Sequence, residues 1–217
     1  MNVVTIKNLI DARVPIVPDT VKKLLKLDGI DVFVEKGISK VFLDQDYIDA
    51  GASLGTREEL LKKADIILGV SKPLVDDLAH LKPGTLSISF LDPFNDKEYL
   101  KALEKYKISA VSLEMIPRTT LAQKMDAVSS QASLAGYTAV ITGADQMNKV
   151  FPMMMTPAGT IKPAKVFIIG AGVAGLQAIA TAKRLGARVV AFDTRPVVKE
   201  QVESLGGKFL EIDLGET

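Results

Sequence analysis

Three glycines at GxGxxG spacing form the pattern in this sequence that points most clearly to chemistry. They follow an apolar run at residues 166–169 and precede an alanine-rich segment at residues 173–185. In a strand–turn–helix unit, the first glycine permits the tight turn, the second lets the backbone approach a diphosphate, and the third lets the helix pack on the strand. The diphosphate then lies at the amide groups of the helix N-terminus. The pattern therefore predicts a dinucleotide-binding turn formed by Gly170, Ala171, Gly172, Val173, Ala174 and Gly175.

An acidic residue follows at the end of the next predicted strand. Asp193 ends the strand predicted over residues 188–193, where a carboxylate accepts hydrogen bonds from an adenosine ribose. A carboxylate there repels a 2′-phosphate, so the sequence favours NAD(H) over NADP(H). Thr194 and Arg195 complete this strand end. Arg195 softens the preference, and its role is left open between a ligand contact and a solvated loop residue.

A second cluster of polar side chains lies in residues 117–129. It holds the guanidinium of Arg118, the amide of Gln123, the carboxylate of Asp126 and the hydroxyl of Ser129. Loops at the carboxyl ends of parallel strands are where such folds bind ligands. Gln123 is suited to bond the carboxamide of a nicotinamide, and Arg118 is suited to pair with Asp126. The alternative is that Asp126 is the ordinary N-cap of the next helix, with polar loop residues around it.

Short β-branched runs alternate with amphipathic segments along the whole chain. This alternation predicts an α/β fold with two Rossmann-like doubly wound parallel-sheet domains, the second incomplete. The predicted strands span residues 3–6, 31–34, 65–70, 85–90, 108–112, 165–169, 188–193 and 208–212. The predicted helices span residues 18–27, 57–63, 96–106, 126–149, 173–185 and 197–205.

The domain organisation predicted from these elements has three segments. Residues 1–125 form an N-terminal flavodoxin/Rossmann-like α/β domain, and residues 164–217 form the first half of an NAD-binding Rossmann domain. Between them, residues 126–163 supply a bridging helix and a linker with three prolines at residues 151–163, whose methionines we expect to pack on the core. Because the second half of that fold is missing, we expect weak NAD(H) binding, or none, by the 217 residues alone.

Composition excludes several classes of function. Lys and Arg number 27 against 26 Asp and Glu, which gives a net charge of +1 and no electrostatic basis for binding nucleic acid. The chain has no cysteine and one histidine, so thiolate catalysis, disulfides and multi-histidine metal sites are excluded. We interpret His80, beside a turn, as a structural residue. The two uncharged runs, residues 127–144 and 166–182, are too polar or too glycine-rich to span a membrane, so no direct membrane insertion is expected.

Several stretches of the sequence resemble one family. They are residues 125–131 (MDAVSSQ), 135–137 (AGY), 151–155 (FPMMM), 158–164 (AGTIKPA), 170–175 with 182–186, 192–196 (FDTRP) and 199–209. Together they resemble the extramembranous NAD(H)-binding component of proton-translocating NAD(P) transhydrogenases, the first domain of the alpha subunit, in the superfamily shared with alanine dehydrogenases. The resemblance covers essentially all of the chain except residues 1–11 and implies a C-terminally truncated member.

The resemblance carries implications for the site and the reaction. It implies that Arg118, Gln123, Asp126 and Ser129 contact the nicotinamide end of NAD(H), with Tyr137 nearby. It also implies direct hydride transfer from NADH to NADP⁺ held on a partner domain, coupled to proton translocation by a membrane domain, and a component that is inactive alone. The implied assembly is a homodimer, peripheral at the cytoplasmic face of the inner membrane. Leu121 departs from the family, which has a basic residue at this position.

Two alternatives remain open at this point. An NAD-dependent amino-acid dehydrogenase of the alanine dehydrogenase type would need an acid or base for the amine and a cation for the carboxylate. Ser71 stands where that family carries a substrate lysine, and Leu91 or Asp92 stands where it carries a histidine. Lys72 is a loose candidate for the lysine, and Arg13 for the carboxylate ligand. The other alternative is a non-catalytic NAD-binding fragment.

Overall fold

A computed structural model describes residues 1–9 and 11–212 of the chain. The chain divides into two compact units, residues 1–125 and 126–217. Each unit has its own parallel sheet and its own hydrophobic core. Within the described residues, no helix is long and apolar enough to cross a membrane. The predicted fold class, α/β with two Rossmann-like parallel sheets, is confirmed.

The first unit contains a six-stranded parallel sheet with strand order β3-β2-β1-β4-β5-β6. Its strands are β1 Asn2–Thr5, β2 Asp31–Glu35, β3 Ser53–Gly55, β4 Ile66–Ser71, β5 Leu86–Phe90 and β6 Ser109–Ser112. Its helices are α1 Pro18–Leu24, α2 Asp44–Asp49, α3 Arg57–Lys63, α4 Val75–Leu78 and α5 Lys97–Tyr106. The order reverses between β1 and β4, which is where doubly wound sheets open a crevice at their carboxyl edge.

Local sequence signals explain how the helices of this unit begin and end. Pro18 occupies the first turn of α1, where its missing N–H would have no partner in any case. The carboxylate of Asp96 accepts the Tyr99 N–H at 3.0 Å and caps α5. That helix ends at Lys107, which adopts a left-handed φ of 58°. The elements α2, β3 and α4 were not predicted from the sequence; they span three to six residues, too few to show a period.

The second unit contains a three-stranded parallel sheet with strand order β11-β10-β9 and a two-stranded hairpin of β7 and β8. The sheet has the order of the first three strands of a Rossmann domain. Its strands are β7 Met154–Thr156, β8 Gly159–Ile161, β9 Lys165–Ile169, β10 Arg188–Phe192 and β11 Lys208–Phe209. Its helices are α6 Ala127–Gln146, α7 Val173–Arg184 and α8 Lys199–Ser204, the last preceded by the 3-10 turn Pro196–Val198.

Three expectations for this unit need correction. The long helix ends at Gln146 rather than at residue 149, because the backbone of Met147 turns extended. The predicted linker contains the β7–β8 hairpin. Its methionines do not fill the core: Met153 is 58% and Met155 77% exposed, since a short two-stranded hairpin has no covered face of its own. The last strand also ends at Phe209 rather than at residue 212.

Candidate functional site

The glycine turn joins β9 to α7 as the sequence predicts. Gly170 follows the strand with a φ of 92°, a left-handed conformation that favours glycine, and its N–H donates to the Phe192 carbonyl at 2.7 Å. Gly172 is the N-cap of α7, and its carbonyl accepts the Leu176 N–H at 2.8 Å. The turn is therefore fixed to the neighbouring strand at one end and continues directly into the helix at the other.

Contacts and backbone angles within the protein explain why glycine is required at two of the three positions. A Cβ on Gly175 would lie 1.8 Å from the Gly170 carbonyl oxygen, so only glycine lets α7 pack this closely on the turn. Gly170 is explained by its φ. Gly172 differs, because a Cβ there would meet no atom within 4 Å and its φ of −80° suits any residue. Gly172 thus leaves open space directly in front of the helix.

The start of α7 is electrostatically suited to an anion. The N-cap is glycine, so no side chain caps the first amide groups, and the first turn contains no acidic residue. The last turn carries Lys183 and Arg184, which suit the negative end of the helix dipole. The first N–H groups of a helix lack partners within the helix and attract negative charge. The open space at Gly172 is therefore bordered by hydrogen-bond donors in a positive field.

Asp193 lies directly beside this turn. Its Oδ2 accepts the Ala171 N–H at 2.7 Å, and its Oδ1 accepts the N–H of Arg195 at 2.8 Å. The Arg195 guanidinium donates from Nε to Oδ1 at 3.0 Å and from Nη2 to Oδ2 at 3.1 Å. The Arg195 side chain, then the backbone N–H groups of Arg195 and Ala171, lower the pKa of Asp193 far below its usual value. The sequence did not predict that Arg195 would cover this carboxylate.

Asp126 and Ser129 are brought together at the start of α6. The carboxylate of Asp126 accepts the Ser129 N–H at 2.8 Å and the Ser129 hydroxyl at 2.7 Å. The expected N-cap is confirmed. The two residues that the sequence proposed as ligands therefore also form an ordinary helix cap, and both interpretations of Asp126 remain compatible with this geometry.

Arg118 and Gln123 lie in the first unit, and both are exposed. Gln123 opens the 3-10 turn Gln123–Met125, whose Met125 N–H donates to the Ala122 carbonyl at 2.8 Å. Ala122 is only 4% exposed and fixes the loop, whereas Leu121 is 93% exposed. The loop thus presents polar side chains on a backbone held by one buried alanine. The joining of Arg118 to Asp126 in the second unit stays a prediction.

The two long helices of the second unit meet at a glycine that sequence reasoning missed. A Cβ on Gly136 would lie 2.1 Å from the Ala174 carbonyl oxygen, so glycine permits α6 to touch the first turn of α7. Farther along, Ala144 and Arg184 line one cavity, so the helices run in the same direction. Tyr137 follows Gly136 and is 49% exposed. It therefore lies at the level of the α7 start.

The carboxyl edge of the first sheet holds a cavity of about 290 Å³. Two of the cations that line it, Arg57 and Lys72, have partners within the protein. Lys72 Nζ donates to the Leu91 carbonyl at 2.9 Å and to Asp96 Oδ2 at 2.7 Å, and lies 5.0 Å from the ring centroid of Tyr99. The guanidinium of Arg57 forms two hydrogen bonds with the carboxylate of Asp77, at 2.9 and 2.7 Å. Among residues 1–9 and 11–212, no cluster of side chains could hold a metal ion.

The strand order and the residues of the glycine turn define the fold class of the protein. Parallel sheets in Rossmann order, with a glycine turn feeding a helix beside a strand-end carboxylate, define an α/β protein of the Rossmann-like type. A family model described as the N-terminal domain of alanine dehydrogenase/PNT matches residues 6–135, and one described as the C-terminal domain matches residues 139–216. The chain belongs to the alanine dehydrogenase/PNT family, which confirms the resemblance seen in the sequence.

Individual relatives lie on both branches of this family. An NAD(P) transhydrogenase alpha subunit of Rhodospirillum rubrum is 47% identical over 209 residues, which cover 93% of this chain and 54% of that protein. A solved transhydrogenase from Sinorhizobium meliloti matches with a TM-score of 0.93 and 44% identity, covering 99% of this chain and 62% of that one. A solved L-alanine dehydrogenase matches with a TM-score of 0.82 and 25% identity, covering 97% and 60%. The chain spans about half the length of the curated relatives it matches.

Proposed function

We propose that this chain is the NAD(H)-binding component of an NAD(P) transhydrogenase. In this reaction, hydride passes directly from NADH to NADP⁺ held on a partner domain, and a membrane domain couples the transfer to proton translocation. The observation that carries the proposal is the open space at Gly172, which no protein atom fills, in front of a helix without a side-chain cap and beside Asp193. Its 47% identity to a transhydrogenase alpha subunit supports the same assignment.

Each portion of the dinucleotide has a proposed set of partners. The amide groups at the start of α7, residues 172–175, bind the diphosphate, and Asp193 accepts hydrogen bonds from the adenosine ribose, flanked by Thr194 and Arg195. The nicotinamide end is bound by Arg118, Gln123, Asp126 and Ser129, with Tyr137 nearby. These five residues at the nicotinamide end are proposed from the resemblance to the family. The exposed loop that carries Arg118 and Gln123 offers the guanidinium and amide donors that such a contact needs.

The proposed residues bind and orient, and they move no proton. A nicotinamide supplies a hydride donor or acceptor carbon, and with nicotinamides on both sides no proton leaves a reacting carbon. The residues of this chain therefore need only hold one ring within about 3–3.5 Å of the other in a productive orientation. The absence of cysteine from the sequence and the exposed position of its single histidine, His80, are consistent with such a site.

The proposed partners follow from the same assignment. They are an NADP(H)-binding domain, a membrane domain and a second copy of this component. We place the chain as a peripheral component at the cytoplasmic face of the inner membrane, and we infer that it is inactive without its partners.

The alanine dehydrogenase alternative has weaker support at its candidate residues. Lys72 is already paired with Asp96, and the hydroxyl of Ser71 accepts a hydrogen bond from Asn8 at 2.9 Å. Asp92 has a left-handed φ of 53° and accepts a hydrogen bond from the Asn95 side chain at 2.7 Å, so it is engaged in a turn. The identity to the solved alanine dehydrogenase is 25%, against 44% to the solved transhydrogenase.

Hydride exchange tests the proposal. The chain is mixed with an NADP(H)-binding domain of a transhydrogenase, and transfer from NADH to a spectrally distinct NADP⁺ analogue is followed by absorbance. We expect transfer that requires both proteins. Oxidation of L-alanine with NAD⁺ and no partner would support the dehydrogenase instead. Binding of NADH without transfer to any partner would identify a non-catalytic NAD-binding module.

A further inference from the structure

The carboxylate of Asp193 has no acceptor position left for a ligand. Four N–H groups of the protein point at its two oxygens, two from the backbone and two from the guanidinium of Arg195. An ionised carboxylate offers about four lone-pair positions. The proposed function requires ribose hydroxyls to use some of them. At least one of the present donors must therefore leave when an adenosine ribose binds.

The four donors are not equally easy to displace. The N–H groups of Ala171 and Arg195 belong to the turn and to the strand end, so they remain in place. The guanidinium is carried by the long side chain of Arg195, which is 59% exposed. It covers the side chain of Asp193, which is only 7% exposed. An ion pair with one partner in water contributes little net free energy, because water replaces its hydrogen bonds. The guanidinium is therefore the group that leaves.

We propose that Arg195 sets the nucleotide preference of this site by competing with the adenosine ribose for Asp193 and by turning to a 2′-phosphate when one is present. The inference rests on the proposed function, since it assumes that the ribose binds at Asp193. An unsubstituted ribose must displace the guanidinium and gains nothing from it. A 2′-phosphate suffers repulsion from Asp193, but the displaced guanidinium can pair with it in a bidentate geometry. Arg195 thus weakens NADH binding and strengthens NADPH binding.

The test compares Arg195→Ala with Arg188→Ala. Both variants remove one positive charge from β10 or its end, but Arg188 begins the strand at the opposite edge of the sheet. Dissociation constants for NADH and NADPH are measured on the 217-residue chain by ligand-observed NMR, which detects weak binding. In Arg195→Ala we expect about two- to fivefold tighter NADH binding and about two- to fivefold weaker NADPH binding. This is the change in affinity that the loss of one exposed ion pair produces. Arg188→Ala is expected to leave the ratio of the two constants unchanged.

The other outcomes separate this inference from the proposed function. Binding of NADH by Arg195→Ala but not by the parent chain would support the inference strongly. Equal weakening of both nucleotides, or no change in either, would overturn it while leaving NAD(H) binding intact. If neither nucleotide binds to any variant, NAD(H) binding by this chain fails, and the inference fails with it. Arg195→Gln, which keeps the length of the side chain without its charge, is the second variant should the alanine variant unfold.

Discussion

The helices that follow the first strand of each sheet begin in opposite ways. In the first unit, β1 is joined to α1 by residues 6–17, which contain no glycine, and the helix opens with Pro18 and Asp19. In the second unit, the glycine turn joins β9 to α7, and the first helical turn carries no acidic residue. In both sheets the first strand pairs with the second and the second with the third. This shared 3-2-1 order therefore does not distinguish the two units.

Chemistry at the helix start distinguishes them. Pro18 has no N–H to donate, and Asp19 places a negative charge where an anion would have to lie. The start of α7 offers backbone donors, a positive helix end and open space at Gly172. A shared fold positions loops, but the residues of the loop decide whether anything binds there. On this comparison, we expect the second unit rather than the first to bind a diphosphate.

The most disruptive change in the second unit is expected to be Gly175→Ala. The new Cβ would lie 1.8 Å from the Gly170 carbonyl oxygen, a backbone atom that cannot move without breaking the turn. We expect a loss of roughly 3 kcal/mol in the free energy of unfolding, at the upper end of overpacking effects. Urea unfolding measures it, with Gly172→Ala as the control that stays within about 1 kcal/mol of the parent. Equal stability of both variants would contradict the different roles assigned to these glycines.

The cations Arg57 and Lys72 at the carboxyl edge of the first sheet are expected to contribute to stability rather than to ligand binding. Arg57→Ala leaves the buried carboxylate of Asp77 without its ion pair and also removes the contact from Arg57 Nη1 to Glu35 at 3.1 Å. We expect a loss of about 3 kcal/mol, the low end for breaking a buried pair because Arg57 is partly exposed. Lys62→Ala, which breaks the exposed pair with Glu58, is expected to leave the free energy of unfolding essentially unchanged. A loss of NADH affinity in Arg57→Ala without a loss of stability would contradict a purely structural role for Arg57.

Two glycines of α6 give a matched test of how closely the helices approach. Gly136→Ala places a Cβ 2.1 Å from the Ala174 carbonyl oxygen, whereas Gly143→Ala meets no atom within 4 Å. We expect Gly136→Ala to lose about 2 kcal/mol of unfolding free energy. Gly143→Ala is expected to gain about 0.5 kcal/mol, since alanine favours helix over glycine. Thermal unfolding by circular dichroism compares them, and similar midpoints would show that α6 does not touch α7 at Gly136.

A change with a smaller expected effect than Gly175→Ala, Arg57→Ala or Gly136→Ala is the most specific to the ligand. Gly172→Ala adds a methyl group to space that the protein leaves open, so stability is retained while a bound diphosphate is pushed away. We expect at least about tenfold weaker NADH binding, equivalent to roughly 1.4 kcal/mol. Fluorescence titration of NADH against the parent chain and against Gly172→Ala measures the ratio of their dissociation constants. Unchanged affinity would show that the space in front of α7 is not used.

Sequence reasoning predicted the features that depend on local signals. The glycine turn, the Asp126 cap and the Pro18 helix start each follow from residue types at fixed spacing, and the structure contains all three. Contacts between distant residues could not be predicted in this way. Arg57 pairs with Asp77 across 20 positions, and no local pattern marks such a pair.

The missed site features have similar causes. The ion pair of Arg195 with Asp193 is local in sequence, but residue types alone do not show whether two opposite charges near a strand end pair or point to solvent. Gly136 lies in a helix whose apolar residues are not gathered on one face, so no apolar stripe marked the contact with α7. The β7–β8 hairpin was missed because three-residue strands beside prolines resemble a linker.

An amide NMR titration with ADP tests most directly which unit binds a diphosphate. ADP carries the diphosphate and the ribose without the nicotinamide, and backbone amide shifts identify its position even when binding is weak. We predict that the largest shifts fall on the amides of Gly172, Val173, Ala174 and Gly175, followed by those next to Asp193. Largest shifts at the carboxyl edge of the first sheet, at residues 6–9 and 70–75, or no shifts at saturating ADP, would contradict the assignment of the diphosphate to the second unit.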